Sequence, residues 1–318
     1  MAEHKEKLVV IVGPTAVGKT SLSLDLAQAF HGEIISGDSM QVYRYMDIGT
    51  AKASPKEQAV VPHHLIDIIN PDQDYSVASF QEMAKRLITE MNQRQCLPFM
   101  VGGTGLYIQS VTHSYQFSQA EQDSELRDQL QRMADTEGPE VLHERLRAID
   151  PITADRLHPN DVKRVIRAIE IYQQTGQTMA DYQHRAEYSP YDIVMIGLTM
   201  DRAKLYERIN QRVDLMIEEG LIEEVRNLLD AGFDPSLQSM QGLGYKEVVP
   251  YLYGEISLDH AIHEIKKRTR HFAKRQLSWF RRVPEIQWFD LTNPGETDKV
   301  METIRLSMAG KFHQMPNI

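Results

Sequence analysis

The sequence predicts an α/β protein: a parallel sheet with helices on both faces, interrupted by a helical insertion domain. Three observations predict it. Short β-rich apolar runs alternate with helical stretches over the first third of the chain. The pattern turns to helices alone between about residues 119 and 185, and a β-rich run at 193–199 (IVMIGLT) then returns. The organisation expected is a sheet domain over 1–115, a helical insertion over 116–188, and a return to the sheet over 189–318 that ends in a basic helix.

In chain order, 7–12 (KLVVIV) is the first strand, and a Gly-rich turn leads into a helix over 21–30 with Leu22, Leu26 and Phe30 at helical spacing. Segments 33–36 (EIIS) and 97–101 (LPFMV) are further strands, with a helix at 77–92 before the second. Ligands of such sheets gather at the carboxyl ends of the strands. Helices over 121–135, 139–149 and 160–175 are separated by Gly138, Pro151 and Pro159. After the returning strand, 202–231 reads as one long amphipathic helix closed by Gly232. A helix over 257–282 stops before Pro284, and 286–289 is an edge strand.

The chain has 318 residues, 42% hydrophobic and 25% charged, and its net charge of −10 is that of an ordinary globular protein. Cys96 stands alone, so neither an internal disulfide nor a Cys-based zinc site is expected, and a cytoplasmic location is. His260 and His263 share a helix face without partners at ligand spacing, which argues against zinc. No apolar run approaches the ~20 residues of a membrane span, the segment before Leu8 is too brief for a signal peptide, and no obligate protein partner is evident. The acidic total argues against a nucleic-acid partner until it is read locally. Residues 262–283 hold eight Lys and Arg against Glu264 alone, a net +7 that leaves −17 for the rest. One face of the molecule is therefore expected to attract a polyanion.

Gly13, Pro14, Thr15, Ala16, Val17, Gly18, Lys19 and Thr20 fit G-x-x-x-x-G-K-[ST], directly after a strand and opening a helix. Backbone N–H groups of such a loop curl around phosphate oxygens, Lys19 adds a point charge, and Thr20 faces a Mg²⁺ ion. The sheet is thus P-loop NTPase-like. The loop alone leaves the reaction open. The strand expected to end in a metal-holding Asp runs instead into Gly102-Gly103-Thr104-Gly105, and Leu65-Ile66-Asp67 is a poor substitute behind Pro62, His63 and His64. The residues therefore suit a phosphate held as a leaving group, with a small-molecule kinase or a nucleotide-gated RNA-binding protein as alternatives. Asp38, just past the second strand, opens onto the same crevice as a candidate base or metal ligand.

GPTAVGKT, SGDSMQVYRYMDIGTAK, PHHLID, VGGTGLYI, RIxxRV, GLGYKE and RxxxKRQLSWFRR follow one another between about residues 8 and 290. In this order they resemble the bacterial tRNA dimethylallyltransferases, the MiaA-type isopentenyltransferases. Val17 departs from the Ser common in the family's loop, and the zinc finger of some eukaryotic members is absent. The resemblance implies transfer of a dimethylallyl group from dimethylallyl diphosphate to N6 of adenosine 37 in the anticodon stem-loop of tRNA. Asp38 would then be the base, with Thr104 beside it as a second contact to the target amine or the diphosphate. The second Arg of RIxxRV, Arg212, would hold the diphosphate. Helical geometry favours the same arginine, because Arg212 falls about 55° from the centre of the apolar stripe Leu205, Ile209, Val213 and Met216, and Arg208 about 95° away.

A base worked on at N6 must leave its stack and be read at its edge. Asp38, Ser39, Met40 and Gln41 form the candidate base-contacting segment, with the Gln41 amide suited to a base edge. On the basic helix, Arg270, Lys274 and Arg281 form one cationic stripe and Arg275 belongs to a second, with Trp279 interleaved. Lys163, Arg164 and Arg167 in the insertion form a smaller cluster expected to touch RNA phosphates.

Overall fold

The computed structural model describes residues 5–113, 115, 117–118, 120, 122–182 and 189–312. The chain forms two compact units, Met1–Thr112 with Ser189–Ile318, and His113–Tyr188. The first contains β1 (Lys7–Val12), α1 (Lys19–Ala29), β2 (Gly32–Ser36), α2 (Pro55–Val60), β3 (His63–His64), α3 (Val77–Gln93), β4 (Leu97–Gly102) and α4 (Gly105–Thr112). The second contains α5 (Ser124–Glu137), α6 (Pro139–Ile149), α7 (Pro151–Arg156), α8 (Val162–Thr175) and α9 (Met179–Tyr182). The first unit resumes with β5 (Asp192–Thr199), α10 (Arg202–Glu218), α11 (Leu221–Asp230), α12 (Tyr245–Leu252), α13 (Leu258–Phe280), β6 (Gln287–Asp290) and α14 (Thr297–Phe312).

All six strands are parallel, in the order β3-β2-β4-β1-β5-β6. β1 lies near the middle and reads as an unbroken apolar run because both its faces are covered. Leu8, Val10 and Val12 join Ile35 and Met100 in one core, where α3 contributes Phe80, Ala84, Ile88 and Met91. Val9 and Ile11 join Phe99, Ile196 and Leu198 in the other, under α1, α10 and α14. Each of these side chains larger than alanine contributes about 1.5–3 kcal/mol by leaving water. Helix starts follow local chemistry, as where the Ser257 hydroxyl accepts the His260 N–H and opens α13.

The helical unit has its own core of Leu130, Leu142, Leu146, Val165 and Ile169. Glu170 is fully buried beside it. Its carboxylate accepts from Arg127 at 2.8 and 2.9 Å, from the Asp123 N–H at 2.9 Å, and from Arg167. Burial alone would raise the Glu170 carboxyl, but the Arg127 and Arg167 hydrogen bonds outweigh it and hold the group below the ordinary carboxylate range.

Two expectations change, and the segment read as a poor substitute for a strand is none. The single helix over 202–231 is two, because Gly220 takes a left-handed φ of 106° that ends α10 and starts α11 in a new direction. Residues 65–67 form no strand, since Leu65 and Asp67 have φ of 60° and 54°, and His63–His64 pair with Ile34 and Ile35 at the sheet edge instead. The expected helix over 121–135 is Ser124–Glu137, capped by Asp123, while Gln119, Glu121 and Arg185 lie outside the described residues. Helices α2, α4, α7, α9 and α12 are too short to carry a readable periodicity, whereas α14 is missed although Val300, Ile304, Met308 and Phe312 recur at helical spacing.

Candidate active site

The loops after β1, β2 and β4 converge at the carboxyl edge of the sheet. Gly37 donates its N–H to Val101 O at 2.7 Å, and Thr104 donates its own to Gly37 O at 3.3 Å. This zippering requires glycine: a Cβ on Gly102 would lie 2.3 Å from Gly37 O. It sets Asp38 beside Thr104, whose Oγ1 accepts the Ser39 N–H at 3.1 Å. The Asp38 Oδ1 accepts the Met40 N–H at 2.9 Å, which fixes the carboxylate within its own turn.

Lys19 folds back over the phosphate loop, donating to Gly13 O at 3.0 Å and Pro14 O at 2.8 Å. Three cavities meet here. The first, of about 310 Å³, is lined by the polar Asp38, Ser39, Thr104, Arg212 and Arg275 and by the largely apolar Met40, Ile209, Met216, Ile265, Phe272 and Tyr245. The second lies between Lys19, Thr20, Asp38, Gly103, Arg212 and Gln276. The third, of about 810 Å³, is open and takes in Lys19, Thr20, Arg208 and Arg212. Arg212 lines all three, whereas Arg208 lines only the open one.

Burial sets the electrostatics. It pushes the Asp38 carboxyl up from the ordinary range, against the Met40 N–H, Lys19, the Gln41 N–H and Arg212, which pull it down. The Lys19 ammonium is pushed down to about 8, by burial first and by Arg212 second, with Asp38 opposing. Arg212 is likewise disfavoured by burial and supported chiefly by Asp38. Two cations and a carboxylate are thus held together, half-buried on the cavity walls, an arrangement that gains charge balance when an anion enters.

Other expected residues are placed differently. The Gln41 amide is already engaged: its Oε1 accepts from Ser36 Oγ at 2.7 Å, and its Nε2 donates to Thr50 O and Ala51 O at 3.2 and 3.3 Å. It builds the loop rather than offering itself to a base. Trp279 is half-buried against the first core, with its ring so close to Gly105 that a Cβ there would come within 2.3 Å. It packs a loop. Arg270 donates to Asn210 Oδ1 at 2.7 Å and lies over the Tyr206 ring, which docks α13 on α10. Lys266, Lys267 and Arg268 pair with Asp214, Glu264 and Glu247. Lys274, Arg275, Arg281 and Arg282 stand exposed outside those pairs. In the helical unit Arg167 is committed to Glu170 and Ala120 O, Arg164 pairs with Asp161 at 3.2 Å, and Lys163 is exposed.

Two residues had no part in the sequence reading. Glu224 of α11 accepts the N–H groups of Asp47, Ile48 and Gly49 at 2.8–3.0 Å and the Tyr245 hydroxyl at 2.6 Å, so it anchors the loop that bounds the first cavity. Gln276 joins the phosphate loop to the β4 loop. Its signal was available: on the buried face of α13, between Ala273 and Phe280, it is an amide where an apolar residue is due.

A model of the IPP transferase family matches residues 41–283. A tRNA dimethylallyltransferase of Carboxydothermus hydrogenoformans is 55% identical over 301 residues, 94% of this chain and 96% of its own length. The crystal structure of a tRNA isopentenylpyrophosphate transferase from Bacillus halodurans is 50% identical, covers 97% of both chains and has a TM-score of 0.74. A eukaryotic dimethylallyltransferase crystallised acting on tRNA is 30% identical, covers 98% of this chain and 81% of its own, and has a TM-score of 0.82.

Proposed function

The chain belongs to the IPP transferase family, and we propose that it transfers a dimethylallyl group from dimethylallyl diphosphate to N6 of the adenosine at position 37 of tRNA, releasing diphosphate. The observation that carries this reading is the convergence of Asp38 and Thr104 with the phosphate loop, Lys19 and Arg212 on connected cavities. A hydrolase needs a second-strand carboxylate for its metal, and here that place is taken by Gly102–Gly105.

As the C–O bond of the allylic diphosphate breaks, the electron pair stays on the diphosphate oxygen, where the loop N–H groups, Lys19 and Arg212 meet it. The allylic carbon tolerates the positive charge left behind. N6 attacks that carbon, the C–N bond forms, and the N6 proton passes to Asp38. Thr104 holds Ser39, and through it the Asp38 turn, beside the attacking amine. Burial favours Asp38 as a base, because a carboxylate raised toward neutrality accepts a proton more readily.

The chemistry of the donor set fits Mg²⁺. Thr20 offers a hydroxyl beside Lys19 in the first turn of α1, and no group of three His, Cys, Asp or Glu side chains gathers to hold a metal among the described residues. An ion that takes most of its ligands from water and phosphate suits such a site. Thr20 would hold it, and when bound the ion supplies further neutralisation of the leaving diphosphate.

For tRNA, the exposed Lys274 and Arg275 of α13 and Arg281 and Arg282 of the turn after it are the proposed phosphate contacts, with Lys163 and Arg164 of the helical unit a separate set. The adenosine is extruded from the anticodon loop to enter the first cavity. No helix among the described residues is long and apolar enough to cross a membrane. A cytoplasmic location is proposed from the tRNA substrate alone. Purified protein with Mg²⁺, dimethylallyl diphosphate and unmodified tRNA is expected to yield N6-prenylated adenosine by nucleoside mass spectrometry. Consumption of ATP without prenylation would favour the kinase reading instead.

Charge reversal at Lys274 and Arg275 is expected to weaken tRNA binding and to reduce the slope of log affinity against log salt by about one for each phosphate no longer neutralised. An unchanged slope in filter binding removes α13 from the interface. Arg270→Glu serves as the contrast: it breaks the hydrogen bond to Asn210, so the melting temperature is expected to fall while the salt slope changes less than on reversal of Lys274 and Arg275.

A further inference from the structure

The side-chain amide of Gln276 bridges two loops that the reaction must hold in register. Its Oε1 accepts the Thr15 N–H at 2.8 Å and its Nε2 donates to Gly103 O at 3.1 Å. The side chain is 5% exposed. Gly103 makes room for it, since a Cβ there would lie 2.0 Å from Nε2. One turn further along the same helix Trp279 rests on Gly105, so Thr104 sits between two contacts from α13. Thr104 in turn holds the Ser39 N–H beside Asp38. On the other arm of the bridge, Thr15 belongs to the loop that ends at Lys19 and Thr20. One buried amide therefore ties the groups proposed to hold the diphosphate to the groups proposed to receive the N6 proton.

We propose that Gln276 is a positioning residue for prenyl transfer, fixing the distance between the diphosphate loop and the Asp38–Thr104 pair. This rests on the function proposed above. The physical requirement is strict: the allylic carbon must lie within near-attack distance of N6 while its oxygen stays on the loop, and a displacement of about 1 Å can cost ~10²-fold in rate. An amide suits the task because it donates to a carbonyl with one end and accepts from an N–H with the other. Neither a carboxylate nor an aliphatic side chain does both.

The test compares Gln276→Leu with the wild-type enzyme in single-turnover prenylation of tRNA, alongside dissociation constants for inorganic diphosphate and for tRNA. The rate is expected to fall about 10²-fold with both constants within about threefold of wild type. Equal losses in rate and in both constants would mark a merely structural role and overturn the proposal. A second arm covers misfolding of that variant. Gly103→Ala displaces the amide and is expected to slow transfer in the wild-type background, yet to add less than about twofold in a Gln276→Ala background, where the obstruction is gone. Additive losses overturn the proposal. Wild-type protein that binds both ligands but transfers nothing overturns the parent reading and this one with it, whereas an active wild type with an unimpaired Gln276→Leu overturns the positioning role alone.

Discussion

Asp38→Asn is expected to lower the single-turnover rate of prenyl transfer by about 10²–10⁴-fold, the usual contribution of a positioned general base. Asparagine keeps the size and the acceptor for the Met40 N–H, so the turn that sets Ser39 against Thr104 survives. The variant loses only the capacity to take a proton. Its affinity for unmodified tRNA is expected to remain within about threefold of wild type, because the exposed cations of α13 supply the electrostatic part of binding. Removing the carboxylate also takes away a negative charge that repels the incoming anion and competes with it for Lys19 and Arg212, so diphosphate is expected to bind Asp38→Asn at least as tightly as wild type. Rate and affinity measured on one preparation separate the two effects. A parallel fall in both would deny Asp38 its role as base and make it part of the binding surface.

What could be read from the sequence was the part governed by local chemistry. A strand, a Gly-rich turn and a helix in immediate succession predict a phosphate loop because every interaction that shapes it is made within the segment. The apolar runs of β1, β4 and β5 likewise announce strands covered on both faces. The angular position of Arg212 at the edge of the α10 stripe was legible too, and the side chain lines every cavity that meets Asp38. Periodicity continued across residue 220 without registering that a left-handed glycine would turn the chain, so Glu224 was invisible as the anchor of the 47–49 loop. Side chains engaged by partners that the fold brings to them were harder to read for the same reason. Gln41 has the chemistry of a base reader and Trp279 that of a stacking platform, but their partners are 9 and 10 residues ahead in one case and on the β4 loop in the other. Residue type states what a group is able to do. Which partner reaches it first is decided by the fold.

The other large effect is expected at Arg212. Arg212→Met keeps most of the side-chain volume in the cavity wall and removes the charge that meets the leaving diphosphate, so transfer is expected to slow by about 10²–10³-fold. The pH profile distinguishes this from simple loss of packing. In the free enzyme Arg212 helps hold the Asp38 carboxyl down and the Lys19 ammonium down. Without it the Asp38 carboxylate loses a stabilising cation, so its pKa rises, and the Lys19 ammonium loses a repulsive neighbour, so its pKa also rises. Activity needs Asp38 ionised and Lys19 protonated. The acid limb of kcat/KM therefore moves to higher pH, and the alkaline limb, set near 8 by Lys19 in the wild type, moves the same way. Both limbs shifting together is the signature of one charge lying between a carboxylate and an ammonium. A profile that only shrinks, with both limbs in place, would mean that Arg212 supports the diphosphate alone and that the three groups do not share a field.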